Sequence, residues 1–178
     1  MRKRHIIVTD YNPNWPAIFE GEAAKIREIL GPICLAIHQI GSTAVPGLKA
    51  KPTIDLMPVV TDIRLCDPLK SQFEALGYEY LGEYGIPGRR YLRKIEGEND
   101  LFHIHIFSPD NQPDIDRHLA LRDFLRTHKE AAKDYGDLKS ALASRFPYNN
   151  DGYCDGKEQF VKKLEQEALL WAKGSASF

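Results

Sequence analysis

Gly41, Ser42 and Thr43 stand together in this chain, Lys49 and Lys51 follow shortly after, and Asp55 sits between Ile54 and Leu56. Glycine lets a ligand approach the backbone closely. A serine or threonine that caps a helix leaves backbone N–H groups for an anion. The two lysines add positive charge, and a carboxylate on a strand can hold a hard cation. Phosphate cradle, cations and carboxylate together point to nucleotide chemistry. Further on, Arg89 and Arg90 offer guanidinium forks to a phosphate or a carboxylate, or are simply solvated. His103 and His105 alternate with Phe102, Ile104 and Ile106, so on a strand both imidazoles share one face.

The elements that must position these groups follow from periodicity and punctuation. Ile6 to Val8 reads as a short edge strand. The turn Asp10 to Pro16 enters a helix from Trp15 to Leu30, with Ile18, Phe19, Ala23, Ile26, Ile29 and Leu30 near helical period, stopped by Gly31-Pro32. Tyr11 and Trp15 are placed either to stack on a base or, as such aromatics more often do, to staple that turn to a core. Ile33 to Ile40 reads as strand, ending at the Gly41 turn, and a second strand runs from Thr53 to Val60. A helix from Leu65 to Leu76 precedes a strand beginning at Tyr78 and a flexible loop from Gly82 to Gly88. Arg89 to Ile95 and Leu101 to Phe107 form a hairpin about Glu96 to Asp100. A helical pattern covers Asp114 to Phe146, with a break near His128. Pro147 to Gly156 reads as a loop, Lys157 to Ala172 as a last helix, and Gly174 to Phe178 as a frayed tail.

Composition bounds the function. The 178 residues suit one domain, 1–178, with room for a core. With 24 basic and 25 acidic residues the net charge is -1, which excludes a general nucleic-acid or membrane surface but not a local basic site. No apolar run approaches the ~20 residues of a membrane helix, and the basic opening Met1-Arg2-Lys3-Arg4-His5 is followed by too short an apolar stretch for a signal peptide. Cys34, Cys66 and Cys154 fit neither a disulfide framework nor a zinc knuckle, and the expected compartment is the reducing cytoplasm. Cys34 reads as core rather than nucleophile. There is no Walker sequence and no Gly-x-Gly-x-x-Gly.

The run Gly41-Ser42-Thr43-Ala44-Val45-Pro46-Gly47-Leu48, continuing through Lys51-Pro52-Thr53-Ile54-Asp55, resembles the GrpB family, as do Tyr11-Asn12-Pro13-Asn14-Trp15 and Leu121-Arg122-Asp123-Phe124-Leu125-Arg126. Where that family commonly shows Glu-His, this chain has His38-Gln39. The GrpB family in turn resembles the nucleotidyltransferase superfamily, which implies an α/β (α+β) fold: a mixed, largely antiparallel sheet flanked by helices, with C-terminal helices closing the site. The resemblance implies that Gly41-Ser42 binds phosphate and that Asp55 ligates magnesium. Met57 stands where the superfamily's second acid belongs, and a thioether is a poor ligand for a hard cation. The strand beside Asp55 supplies the superfamily's third acid, and His103 and His105 occupy that place here. Imidazole shifts the expected metal from magnesium towards manganese or zinc.

These readings lead to a metal-dependent nucleotidyl- or phosphoryl-transferase using a nucleoside triphosphate. Asp55, His103 and His105 are the metal-binding and catalytic residues. Gly41, Ser42, Thr43, Lys49, Lys51, Arg89 and Arg90 bind nucleotide or another phosphorylated small molecule. The alternative is a non-catalytic nucleotide- or phosphate-binding module, related to GrpB-like domains joined to dephospho-CoA kinase.

Overall fold

The computed structural model describes residues 4–175. The sequence expectations for Met1 to Lys3 and for Ala176 to Phe178 lie outside them. The chain divides into two compact units, each assembled from separate stretches: a sheet unit of residues 13–40 and 53–115, and a helical unit that, among the described residues, takes 4–12, 41–52 and 116–175.

In the sheet unit, helix α1 (Trp15–Leu30) starts after Asn14 with Pro16 in its first turn and ends where Gly31, at φ 57°, returns its N–H to the Arg27 carbonyl. Five strands follow: β1 (Cys34–Ile40), β2 (Ile54–Val60), β3 (Tyr78–Tyr80), β4 (Arg90–Glu96) and β5 (Asn99–Ile106). Their order is β1-β2-β5-β4-β3, antiparallel throughout except for the parallel pair β2–β5. Ile54, Leu56, Leu92, Phe102, Ile104 and Ile106 are all buried, which leaves the other face of the central strands to Asp55, His103 and His105. The segment expected as a helix from Leu65 is a 3-10 stretch, Ile63–Leu69, and then a short helix α2 (Lys70–Ala75), because Pro68 cannot donate in an α-helical ladder.

The apolar face of α1 differs from expectation. Ile18 is 43% exposed, and Glu22, at 4%, takes a place among Phe19, Ala23 and Ile26. Its carboxylate accepts from the Tyr78 hydroxyl at 2.8 Å and from Lys94 Nζ at 3.4 Å. A buried charge persists only when so paired.

In the helical unit, Ile6 to Val8 is no strand. Among the described residues it joins no ladder: Ile6 N–H donates to the Pro147 carbonyl at 2.8 Å, and the adjoining Thr9 makes an isolated antiparallel bridge with Ala50, N–H to carbonyl at 2.9 and 3.0 Å. Helices α3 (Gln112–Thr127, mostly in this unit), α4 (Lys129–Arg145) and α5 (Asn150–Ser175) follow, with the expected break at His128, whose ring stacks on Phe124 at 3.9 Å. Helix α5 begins well before Lys157 and runs through Gly174, so most of the stretch read as a closing loop is helix. Its glycines are packing glycines. A Cβ at Gly156 would collide with the Leu142 side chain, and one at Gly152 would lie 2.8 Å from the Phe146 ring. The core here joins Val45, Leu48, Phe124, Leu125, Tyr135, Leu164 and Ala168.

Candidate functional site

Asp55 and His103 are direct partners across the parallel pair β2–β5, and His105 follows two residues on, so alternation places all three side chains on one face. His105 Nε2 lies 3.2 Å from Asp55 Oδ1, and His103 Nδ1 lies 3.6 Å from the same oxygen. His103 Nε2 stands 3.8 Å from Asp100 Oδ2. Strict alternation would send Asp100 to the opposite face. The register between β4 and β5 shifts at this point, pairing Lys94 with Phe102 but Ile95 with Asp100, and the extra residue Leu101 returns Asp100 to the face of His103.

The electrostatics follow from this packing. Burial works against the Asp55 charge, but its contacts to His103 and His105 outweigh that and hold the carboxyl well below the usual carboxylate range. Burial likewise opposes charge on His103. Its two carboxylate neighbours, Asp100 and Asp55, overcome the penalty and raise its pKa to about 9. His103 is therefore an imidazolium at neutral pH, a cation lodged between two acids.

Arg89 and Tyr91 complete the cluster. Arg89 is 7% exposed. Its Nη2 donates to the Tyr84 carbonyl at 2.7 Å and its Nε to that of Glu83 at 3.2 Å, while Nη1 lies 3.4 Å from His105 Nδ1. A donor at Nδ1 leaves the His105 proton on Nε2, aimed at Asp55. The guanidinium lies 4.9 Å from the Tyr91 ring centre, and the exposed Tyr84 ring stacks on Tyr91 at 5.0 Å. Tyr84 is the one non-glycine with positive φ, 46°, among the described residues. That conformation, unfavourable for a side-chain-bearing residue, turns its carbonyl to Arg89. Arg90 behaves differently: its fork is taken by both oxygens of Asp67, at 2.7 and 3.0 Å.

Met57 is fully buried. Among the described residues no group of three or more His, Cys, Asp and Glu side chains is spaced to share one metal ion. As a donor set, a carboxylate and two imidazoles suit zinc or manganese better than magnesium.

In the helical unit, Gly41 takes φ 74° and Ser42–Ala44 forms one 3-10 turn, as the glycine-serine run predicts. Ser42 is half-buried, whereas Thr43 is 2% exposed. Lys139, itself 2% exposed, donates from Nζ to Ser42 Oγ at 2.7 Å. Lys51 lies over the Tyr153 ring at 5.5 Å. Asp100, Tyr91 and Lys139 were not singled out from sequence. Lys139 left a signal, since it interrupts the apolar face marked by Tyr135 and Leu142.

The sequence pattern of one family, described as GrpB protein, matches residues 5–167. The UPF0157 protein YqkA of Bacillus subtilis is 40% identical over 172 residues, covering 97% of this chain and 50% of that relative. This chain thus spans half the length of YqkA. A dephospho-CoA kinase of Mycolicibacterium paratuberculosis is 25% identical over 184 residues, with 90% of this chain and 45% of that protein covered. Among solved structures, the conserved protein GrpB from Enterococcus faecalis superposes with a TM-score of 0.90 at 46% identity, over 93% of this chain and 99% of that one. Cid1 in complex with its short product ApU matches with a TM-score of 0.51 at 15% identity, over 74% and 42% of the two chains. That likeness concerns the fold alone, which is nucleotidyltransferase-like. With its family pattern matched over nearly the whole length, the chain belongs to the GrpB protein family.

Proposed function

We propose that this protein holds a divalent cation through Asp55, His103 and His105 and transfers a nucleotidyl or phosphoryl group from a nucleoside triphosphate. The observation that supports this best is the pair of imidazoles gathered around a single oxygen of Asp55; as placed they contact that oxygen rather than a common ion position, so binding a cation requires them to turn. A zinc or manganese ion bound there would supply Lewis-acid stabilisation of charge on a phosphoryl oxygen. Asp55 contributes the negative charge that attracts the cation. His105, with Arg89 at its Nδ1, presents Nε2 to Asp55 and holds the carboxylate in orientation; to ligate through Nε2 it must give up the Arg89 contact so that its proton sits on Nδ1. His103 must release its proton to act as a ligand. Until it does, its imidazolium screens Asp55 from Asp100. Arg89 keeps a fixed positive charge beside His105 for an anionic substrate.

In the helical unit we assign phosphate binding to Gly41, Ser42 and Thr43, with Lys49, Lys51 and Lys139 as cations. The Thr43 side chain is too buried to contribute more than its backbone. Arg90 is assigned to Asp67 rather than to a ligand. The cysteine usage suits the cytoplasm.

Met57 favours a second reading. With a buried thioether at the position of the second acid, a two-metal transfer site lacks a ligand. A module that binds a nucleotide or phosphate without turnover accounts for that, and the likeness to part of a longer dephospho-CoA kinase supports an accessory role. The two readings part on one experiment: titration calorimetry with a nucleoside triphosphate and manganese or zinc, followed by a product assay. Metal-dependent binding with turnover, both lost in Asp55→Asn, supports the transferase. Binding without turnover supports the module. Unchanged metal and nucleotide binding in Asp55→Asn removes Asp55 from either.

A further inference from the structure

The helical unit contains a cavity of about 760 Å³. One wall is the loop carrying Pro46, Gly47 and Lys49, and the other is the end of α3 and the first half of α4. Lys129, Lys133 and Asp137 follow one another at i, i+4 spacing, so they line a single stripe of α4. Gly136 sits in the same wall. A Cβ there would lie 3.4 Å from both Leu48 Cδ1 and Lys49 Cβ, so the glycine lets the loop pack against α4 and brings Lys49 to the helix. Arg126 is anchored by its Nε, which donates to the Ala44 carbonyl at 2.8 Å.

The lining is strongly biased in charge. Lys49, Arg126, Lys129 and Lys133 face one acid, Asp137, in a chain whose net charge is -1. Asp137 is matched by Lys133 at 2.6 Å, and its carboxyl is held below the usual range first by that contact and then by the charge of Lys49. Lys129 makes no side-chain hydrogen bond or ion pair with any described residue. Arg126 also has Asp123 Oδ1 3.9 Å from its Nη1, so of the four lining cations two, Lys49 and Lys129, exceed what the neighbouring acids match, around a volume that holds a metabolite-sized molecule. Leu125, Ala132 and Pro46 give the cavity an apolar surface for the uncharged part of such a ligand. One carboxylate needs a single cation, whereas this convergence suits a group with several anionic oxygens, bound by one guanidinium fork and several point charges.

We infer that this cavity binds a small phosphorylated molecule carrying two or more negative charges, without a metal ion. Lys49 is the one residue that it shares with the phosphate set proposed above, and the cluster at Asp55 has no part in it.

The test is calorimetric titration of the full chain with ATP, with inorganic pyrophosphate and with a short single-stranded oligonucleotide, all with excess EDTA. Wild type is compared with Lys129→Glu/Lys133→Glu, Arg126→Gln and Asp55→Asn. Both lysines are exposed, and circular dichroism with a thermal melt checks that the double variant keeps its fold. ATP and pyrophosphate are expected to bind the wild type, with affinity falling at least about tenfold in the double variant and several-fold in Arg126→Gln, as loss of charge-assisted contacts implies. Asp55→Asn is expected to bind as the wild type does, and that arm separates this site from the metal-dependent reading. Absence of metal-free binding by either probe overturns the inference, as does equal affinity in wild type and double variant. An oligonucleotide that binds where neither small probe does overturns it in favour of a nucleic-acid surface.

Discussion

Fifty residues apart in the chain, Asp55 and His105 meet with Oδ1 and Nε2 3.2 Å apart. The contact exists because β2 and β5 run parallel and in register, although the chain between them makes the 3-10 stretch Ile63–Leu69, α2, β3 and β4. Asp55→Asn keeps the shape of the side chain and removes its charge. The expected outcome is a folded protein that no longer binds manganese or zinc, and a His103 whose pKa falls from about 9 towards the ordinary value of ~6.5. Imidazole NMR titration and metal calorimetry measure the two effects.

His103 also sets a pH dependence. Its pKa is raised in the folded protein, so its contribution to stability is complete below the unfolded value of ~6.5 and is lost as pH rises through about 9. Asp55 works in the opposite sense: its pKa is lowered, so its contribution is present above ~3.9 and is lost as pH falls below that. Urea denaturation should show stability declining between neutral pH and 9 in wild type, with a flatter profile in His103→Gln. Metal affinity should rise over the same interval, because ligation displaces the His103 proton.

Met57→Asp restores the second acid by sequence but places a carboxylate where no surface is exposed. Without a cation the variant should lose roughly 3 kcal/mol or more, the cost of an uncompensated buried charge. If residues 55 and 57 share a metal, zinc or manganese should recover much of the loss, read as a rise in melting temperature for this variant beyond that of wild type. A thermal shift no larger than that of wild type would remove position 57 from any metal site.

Glu22→Ala leaves Lys94 and the Tyr78 hydroxyl without their shared acceptor inside the sheet unit. A loss of about 3 kcal/mol is expected in urea unfolding, since breaking a buried pair strands its partner. Glu22→Gln, which still accepts a hydrogen bond, should lose less.

Gly156→Ala tests the packing of α5. In an exposed helix the change would stabilise by ~1 kcal/mol. Here the added methyl meets the Leu142 side chain, and a net loss of about 1–3 kcal/mol is expected from overpacking. A stabilised variant would show that Leu142 moves aside at no cost.

Short-range signals made much of this protein legible. The α1 boundaries, the turn at Gly41, the two histidines on one strand face and the break at His128 all follow from punctuation and alternation, because each depends on residues within a few positions. The loop expected over Pro147 to Gly156 is mostly helix for the same reason: the glycines at 152 and 156 serve a close helix contact that is invisible locally. Burial of Glu22 in α1 and of Lys139 in α4 depends on partners 56 and 97 residues away. The sequence supplied Asp55, His103 and His105 as candidates. Only the parallel registration of β2 with β5, and the shift that turns Asp100 to the same face, decided that one histidine is an imidazolium between two acids, because charge on a buried group is set by what the tertiary fold packs against it.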